Sequence, residues 1–177
     1  MKSLMNWFSR RVAHPLWDMK DGSQRLRELG RLEKTQWLPE SALREIQADR
    51  LRRILVHAYN NSPYYRSLFD RNALDATKLG PQQMSRIPVL TKHDIRSNVD
   101  TMIARPYVRG TLPFHKTGGS TGTALTTYFN EEWREVRTAD ALRANQWANY
   151  FHGMKVAAVW GNPPVPTTLK QKLRSTL

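Results

Sequence analysis

A run of glycine and hydroxyl residues in the second half of the chain has the composition that phosphate binding requires. It consists of Thr117, Gly118, Gly119, Ser120, Thr121, Gly122 and Thr123. Because its glycines lack a Cβ atom, the backbone can adopt positive φ angles and turn successive N–H groups toward one point, which makes an anion-binding nest. The hydroxyl groups add donors around the same oxygens. The run, called the glycine loop below, therefore predicts a phosphate site.

The same composition also fits a simpler structure. A loop of glycine, serine and threonine between two strands is more often a mobile turn than a phosphate site. The run lacks the Gly-Lys-Ser/Thr ending of the Walker motif, and its glycine spacing does not match the dinucleotide-binding motif. Neither a P-loop ATPase nor a Rossmann domain is supported.

No side chain is predicted to be catalytic, and no metal site is predicted. His115 and Lys116 immediately precede the glycine loop, but residues on a strand usually face solvent or a neighbour. The other histidines are too scattered along the chain for metal-ligand spacing. The absence of cysteine excludes a disulfide, a thiolate nucleophile and a thiolate metal site.

The chain is strongly basic, with 28 Lys and Arg residues, 15 Asp and Glu residues and a net charge of +13 at pH 7. The excess is spread along the chain, unlike a dedicated basic arm, which disfavours nucleic acid as the partner. Six tryptophans and six tyrosines could stack on bases, so a small basic module for nucleic acid or an anionic surface stays open as an alternative. A non-catalytic interaction protein, pairing through an exposed sheet edge or as a homodimer, is a further alternative.

The start of the chain is basic and aromatic, and its longest apolar run is two residues, too short for a secretory signal. No later window approaches the roughly 18 apolar residues of a membrane span. We therefore expect no membrane span and a cytoplasmic location.

Residues 1–100 are predicted to form a helical N-terminal region. Apolar residues at helical spacing predict helices over 24–35 and from residue 40 to about 58. Ser62 and Pro63 suit the start of a helix that reaches Arg71, and Thr91 with Asp94 suits the start of another.

Residues 101–177 are predicted to contain both strands and helices. Residues 112–116 and 125–129 are strand candidates on either side of the glycine loop, which predicts a hairpin or neighbouring strands. A helix from 131 to about 151 and a buried strand over 155–160 follow, and this strand-helix-strand order suggests a βαβ crossover. The predicted fold class is α/β (α+β).

Three separated blocks resemble phenylacetate coenzyme A ligase-like proteins, in particular the type associated with capsular polysaccharide clusters. The blocks are residues 57–66, residues 87–96 and the glycine loop, and they occur in the order and at the spacing of that family. These proteins are adenylate-forming enzymes. The resemblance implies that residues 101–177 are the start of an α/β nucleotide-binding domain, within the large N-terminal domain of such enzymes.

The resemblance also implies an activity, that of an AMP-forming acid-thiol ligase. Such enzymes join ATP to a small carboxylic acid, release pyrophosphate and pass the acyl group to coenzyme A, with Mg²⁺ as the metal ion. The glycine loop would hold the ATP phosphates. Its common form in the family is Ser-Ser-Gly-Thr-Thr-Gly-Lys-Pro, so Gly118 replaces a hydroxyl residue here and Thr123 replaces the lysine.

The family's later motifs have no counterpart in the 177 residues. These are a Tyr-Gly-x-Thr-Glu run, an aspartate for the ribose hydroxyls and a lysine in the C-terminal domain. We therefore expect an N-terminal fragment that is inactive alone. The resemblance also raises an acyl pocket lined by Tyr59, Tyr64, Tyr65 and Phe69, although aromatic residues at this spacing more often form core.

Overall fold

The structure, a computed structural model, describes residues 4–117 and 124–154. Residues 118–123 of the glycine loop and the predicted strand over 155–160 lie outside the described residues. The chain divides into two compact units: a terminal unit of Met1–Gln36 with Glu132–Leu177, and a central unit of Trp37–Glu131. The predicted boundary near residue 100 stays a prediction.

The described residues are mostly helical. The helices are α1 Leu4–Phe8, α2 His14–Asp21, α3 Arg25–Thr35, α4 Glu40–Asn61, α5 Pro63–Arg71, α6 Lys92–Met102 and α7 Glu131–Trp147. A π-helical turn, Ser9–Ala13, joins α1 to α2, and 3₁₀ turns occupy Pro81–Arg86 and Arg109–Thr111. The helices predicted from the apolar spacing are present, with ends within a few residues of the expected ones.

In the terminal unit, the start of α3 is capped by a residue that is distant in sequence. The turn before α3 uses Gly22, whose φ of 66° is accessible to glycine at little cost. Glu135 on α7 accepts hydrogen bonds from the backbone N–H groups of Gln24 (3.1 Å) and Arg25 (3.0 Å) and from the Ser23 hydroxyl. Most of the capping is therefore done by the Glu135 carboxylate, whose negative charge suits a helix N-terminus.

The core of the central unit lies where α4 and α5 pack together. Its buried residues are Leu55, Leu68, Phe69, Leu74, Ala76 and Leu79. Tyr59 stacks on Phe69 with ring centroids 6.2 Å apart, and Tyr64 and Tyr65 pack against the same cluster. All four aromatic residues therefore contribute to this core.

The described strands form one antiparallel hairpin in the central unit, β1 Phe114–Lys116 and β2 Thr126–Tyr128. Phe114 pairs with Tyr128, His115 with Thr127 and Lys116 with Thr126. The predicted pairing of the two strands is confirmed, although each strand is three residues long rather than five. Helices with one small antiparallel sheet agree with the α/β (α+β) prediction at this level.

Candidate functional site

The base of the glycine loop is closed by Thr117 and Leu125. The Thr117 backbone N–H donates to the Leu125 carbonyl at 2.9 Å, and the Leu125 N–H donates to the Thr117 hydroxyl oxygen at 2.9 Å. These bonds continue the hairpin one residue beyond the strands. The described residues on either side of positions 118–123 are therefore held next to each other.

His115 and Lys116 contact aromatic rings of their own hairpin. The His115 ring stacks on Phe129 with centroids 4.6 Å apart and an interplanar angle of 20°. The Lys116 ammonium lies 6.0 Å from the centre of the Phe114 ring, two residues earlier on the same strand face. Both contacts match the expectation that these side chains meet a neighbour.

The end of β2 away from the loop carries a polar cluster. The Arg109 side chain donates to the Tyr128 hydroxyl at 2.8 Å, and one of its terminal nitrogens lies 3.5 Å from the Asp100 carboxylate. The hydrogen bond to Tyr128, followed by the nearby charges, raises the pKa of the Arg109 guanidinium above its ordinary value. These contacts tie β2 to the 3₁₀ turn that precedes β1.

A groove of about 370 Å³ lies beside β2. Its walls are mostly apolar: Tyr65, Leu90, Ile95, Val99, Met102, Ile103, Ala104, Tyr107, Leu112 and residues 126–130. One of the wall residues, Thr126, directly follows Leu125 at the base of the loop. This groove was not predicted from the sequence, although Ile95, Val99 and Met102 repeat at the helical spacing that marks an apolar face of α6.

The block of residues 57–66 builds the corner between α4 and α5. Ser62 is the N-cap of α5: its hydroxyl accepts from the Tyr65 N–H at 3.5 Å and donates to the Thr101 carbonyl at 3.0 Å. Arg66 donates to the Tyr59 and Asn60 carbonyls at the end of α4, at 3.1 and 2.8 Å. These bonds satisfy backbone groups at the end of α4 and the start of α5. The block therefore stabilises the corner between the two helices.

The block of residues 87–96 starts α6. Thr91 and Asp94 form a reciprocal capping box, in which the Asp94 N–H donates to the Thr91 hydroxyl at 3.1 Å and the Thr91 N–H donates to the Asp94 carboxylate at 2.9 Å. The Thr91 hydroxyl also donates to Asp94, and these bonds lower the pKa of the Asp94 carboxyl. Both described blocks thus shape helix ends, whereas the glycine loop has the composition of an anion nest.

Two further properties hold for the described part of the chain. No group of three His, Cys, Asp or Glu side chains in residues 4–117 and 124–154 is arranged to hold a metal ion. None of the described helices combines the length and the apolar character that crossing a bilayer requires.

Comparison with known proteins relates the chain to coenzyme A ligases. It is 30% identical over 125 residues to a phenylacetate-coenzyme A ligase of Thermus thermophilus, covering 70% of this chain and 28% of the relative. It is 32% identical over 122 residues to a phenylacetate-coenzyme A ligase of Aromatoleum evansii, covering 66% of this chain and 27% of the relative. The predicted resemblance to phenylacetate coenzyme A ligase-like proteins is confirmed.

A third relative carries a different name. Over 131 residues, 73% of this chain and 28% of the relative, the chain is 30% identical to Protein CapK of Staphylococcus aureus. No protein-family model matches the chain. The chain spans little more than a quarter of the length of the curated relatives it matches.

Proposed function

We propose that this chain supplies the ATP phosphate-binding loop of a carboxylate-activating, AMP-forming ligase that resembles phenylacetate-coenzyme A ligase. In this proposal the glycine loop, Thr117 to Thr123, holds the β- and γ-phosphates of ATP. The relatives' names support the reaction class. The composition of the loop supports the role of these residues.

The closure of the loop by Thr117 and Leu125 is the observation that carries the proposal. An anion nest works only if its N–H groups converge, and a loop whose two ends are bonded together has fewer conformations to lose when phosphate binds. The Thr117 hydroxyl accepts a hydrogen bond from Leu125, and a hydroxyl that accepts can still donate. Thr117 can therefore close the loop and donate to a phosphate oxygen at the same time.

The task of the loop in the reaction is positioning. The nucleophile is a carboxylate oxygen of the substrate, which forms a bond to the α-phosphorus of ATP while the bond from that phosphorus to the β-phosphate bridging oxygen breaks. Donors around the β- and γ-phosphates orient the reacting groups and stabilise the charge of the departing pyrophosphate. This step needs no side-chain nucleophile.

Mg²⁺, coenzyme A and a small carboxylic acid enter the proposal through the resemblance and the relatives' names. Mg²⁺ would neutralise phosphate charge when bound. Phenylacetate is the first acid to test, because two relatives are named for it. The location of such a protein would be the cytoplasm, where ATP is available.

Calorimetry of MgATP binding by the purified chain and three threonine variants tests the proposal. Thr117→Ala removes the hydroxyl at the base of the loop, Thr117→Ser retains it, and Thr127→Ala removes an exposed hydroxyl of the same hairpin as the matched control. We expect about fivefold to tenfold weaker binding for Thr117→Ala and nearly unchanged binding for the other two variants. Equal binding by all four proteins would contradict the role of the loop.

The second part of the proposal is that the 177 residues alone form no acyl-adenylate. The sequence contains no Tyr-Gly-x-Thr-Glu run, which in the family helps to place adenine and magnesium. We expect no phenylacetate-dependent exchange of labelled pyrophosphate into ATP by the purified chain. Pyrophosphate exchange above the level measured without phenylacetate would show that this second part is wrong. It would not affect the proposed role of the glycine loop.

A further inference from the structure

A second polar site lies in the central unit, at the corner between α4 and α5. It is a cleft of about 340 Å³, called the arginine cleft below. Its walls are Asn60, Asn61, Ser62, Pro63, Arg66, Ser67, Asp70, Arg71 and Arg105. The proposed function assigns no role to this cleft.

The arginine cleft carries an excess of positive charge, with three arginines and one aspartate in its walls. Two of these four side chains have structural partners. Arg66 donates to the carbonyls that end α4, and the Asp70 carboxylate accepts the Tyr59 hydroxyl at 3.0 Å. Asp70 is therefore engaged and does not form an ion pair with an arginine of the cleft within the described residues.

Arg71 and Arg105 make no side-chain hydrogen bond or ion pair with any residue that the structure describes, yet both line the same small space. Arg105 is held there by its backbone, because its N–H donates to the Asn61 carbonyl at 2.9 Å. The Ser62 hydroxyl donates to the Thr101 carbonyl at 3.0 Å. This bond also holds the segment that leads to Arg105 against the start of α5. Two arginines 34 residues apart in sequence thus line one cleft, and the bonds at Asn61 and Ser62 hold its walls in place.

The chemistry of the cleft matches a phosphate group. A guanidinium offers a planar fork of N–H donors that binds phosphate oxygens in pairs. The net excess of two positive charges in the cleft matches a phosphate dianion better than a single carboxylate.

We propose that the arginine cleft binds the phosphate group of a phosphorylated small molecule, with Arg71 and Arg105 as its direct ligands. A space of about 340 Å³ lies at the lower end of the range for small-molecule sites and leaves room for a phosphate with part of the group that carries it. The site is separate from the glycine loop, so the two proposals succeed or fail independently.

Titration of inorganic phosphate into ¹⁵N-labelled chain at pH 8 and low ionic strength tests this site by amide chemical shifts. Low salt is needed because exposed charges are screened within about 10 Å at 0.1 M salt. We expect saturable shifts at residues 60–62, at residues 64–67 and at Arg105, since Pro63 has no amide hydrogen. Arg71→Ala and Arg105→Ala should each weaken binding about fivefold to tenfold, and Arg71→Lys should restore only part of it, because lysine keeps the charge without the fork.

Two control variants distinguish phosphate binding at the arginine cleft from nonspecific attraction to positive charge and from binding at the glycine loop. Arg52→Ala removes an equal charge from an exposed position on α4 outside the cleft, and Thr117→Ala alters the loop; neither should change phosphate binding at the cleft. Acetate at matched ionic strength should give no saturable shifts. The proposal is overturned if phosphate shifts do not saturate, if Arg52→Ala weakens binding as much as Arg71→Ala, or if acetate binds equally.

Discussion

Thr117 and Leu125 are joined by two hydrogen bonds, one between their backbones and one from the Leu125 N–H to the Thr117 hydroxyl. A residue of the proposed phosphate loop is therefore also the residue that closes the hairpin. The pair keeps the two ends of the loop together, whatever the loop binds. The hydroxyl group at position 117 thus has a structural role in closing the hairpin, in addition to its proposed role in binding phosphate.

Replacing Thr123 with lysine restores the residue that the family's common loop has at this position. We expect Thr123→Lys to tighten MgATP binding about twofold to fivefold, because an ammonium group beside the phosphates adds an ion pair. Thr127→Lys, on β2 of the same hairpin, adds the same charge outside the loop and should change binding less. Calorimetry at two salt concentrations measures the effect, and equal tightening by both variants would show that only total charge matters.

Ser62 is predicted to stabilise the α4–α5 corner more than Ser67, an exposed residue of the same helix. Ser62→Ala leaves a buried helix start without its cap and the Thr101 carbonyl without its donor. We expect a loss of about 1–2 kcal/mol in the free energy of unfolding, measured by urea denaturation. Ser67→Ala, an exposed serine on the same helix, is the matched control and should cost little. Equal costs for the two variants would contradict the capping role.

His152 makes the stability of the terminal unit depend on pH. Burial, then the charges of Arg10 and His14, lower the pKa of His152 below its ordinary value of 6.5, with Arg25 adding to the effect. The His152 Nδ1 atom is buried without a hydrogen-bond partner among the described residues, and the His152 ring packs edge-on against His14 with centroids 5.7 Å apart. The neutral form is therefore favoured in the folded chain.

Because the pKa is lower in the folded state, the unfolded chain binds more protons as the pH falls below about 6.5. The contribution of His152 to stability is complete above that pH and is lost as the pH drops toward the folded pKa. We expect the thermal midpoint to fall between pH 7.5 and pH 5 in the wild type and to fall less in His152→Gln. His93→Gln, at an exposed position, is the control, and identical pH profiles for wild type and His152→Gln would contradict this account.

Local patterns were enough to predict most of the helices and the hairpin. The start of α6 follows from Thr91 and Asp94, and the start of α5 from Ser62 and Pro63, since each cap is formed by residues close in sequence. The resemblance to coenzyme A ligases was likewise carried by short blocks and is supported by the relatives.

Features that depend on distant residues could not be predicted in this way. The cap of α3 comes from Glu135, more than 100 residues away, and nothing in the local sequence of either helix reveals the contact. Arg105 reaches the arginine cleft through a backbone bond to Asn61, and the groove beside β2 combines residues of α5, α6 and the hairpin. Such arrangements arise from tertiary packing, which periodicity and capping motifs do not encode.

The central claim is that the glycine loop binds the phosphates of ATP, and amide chemical shifts of the ¹⁵N-labelled chain during a MgATP titration test it most directly. We predict saturable shifts at Thr117 to Thr123 and at Leu125, with reduced affinity in Gly119→Val, whose branched side chain disfavours the positive φ angles of a nest. The titration is repeated in Arg71→Ala, which weakens the proposed phosphate site of the arginine cleft, and the shifts at the loop should persist in this variant. Saturable binding that leaves residues 117–123 unshifted, or no binding at all, would contradict the account.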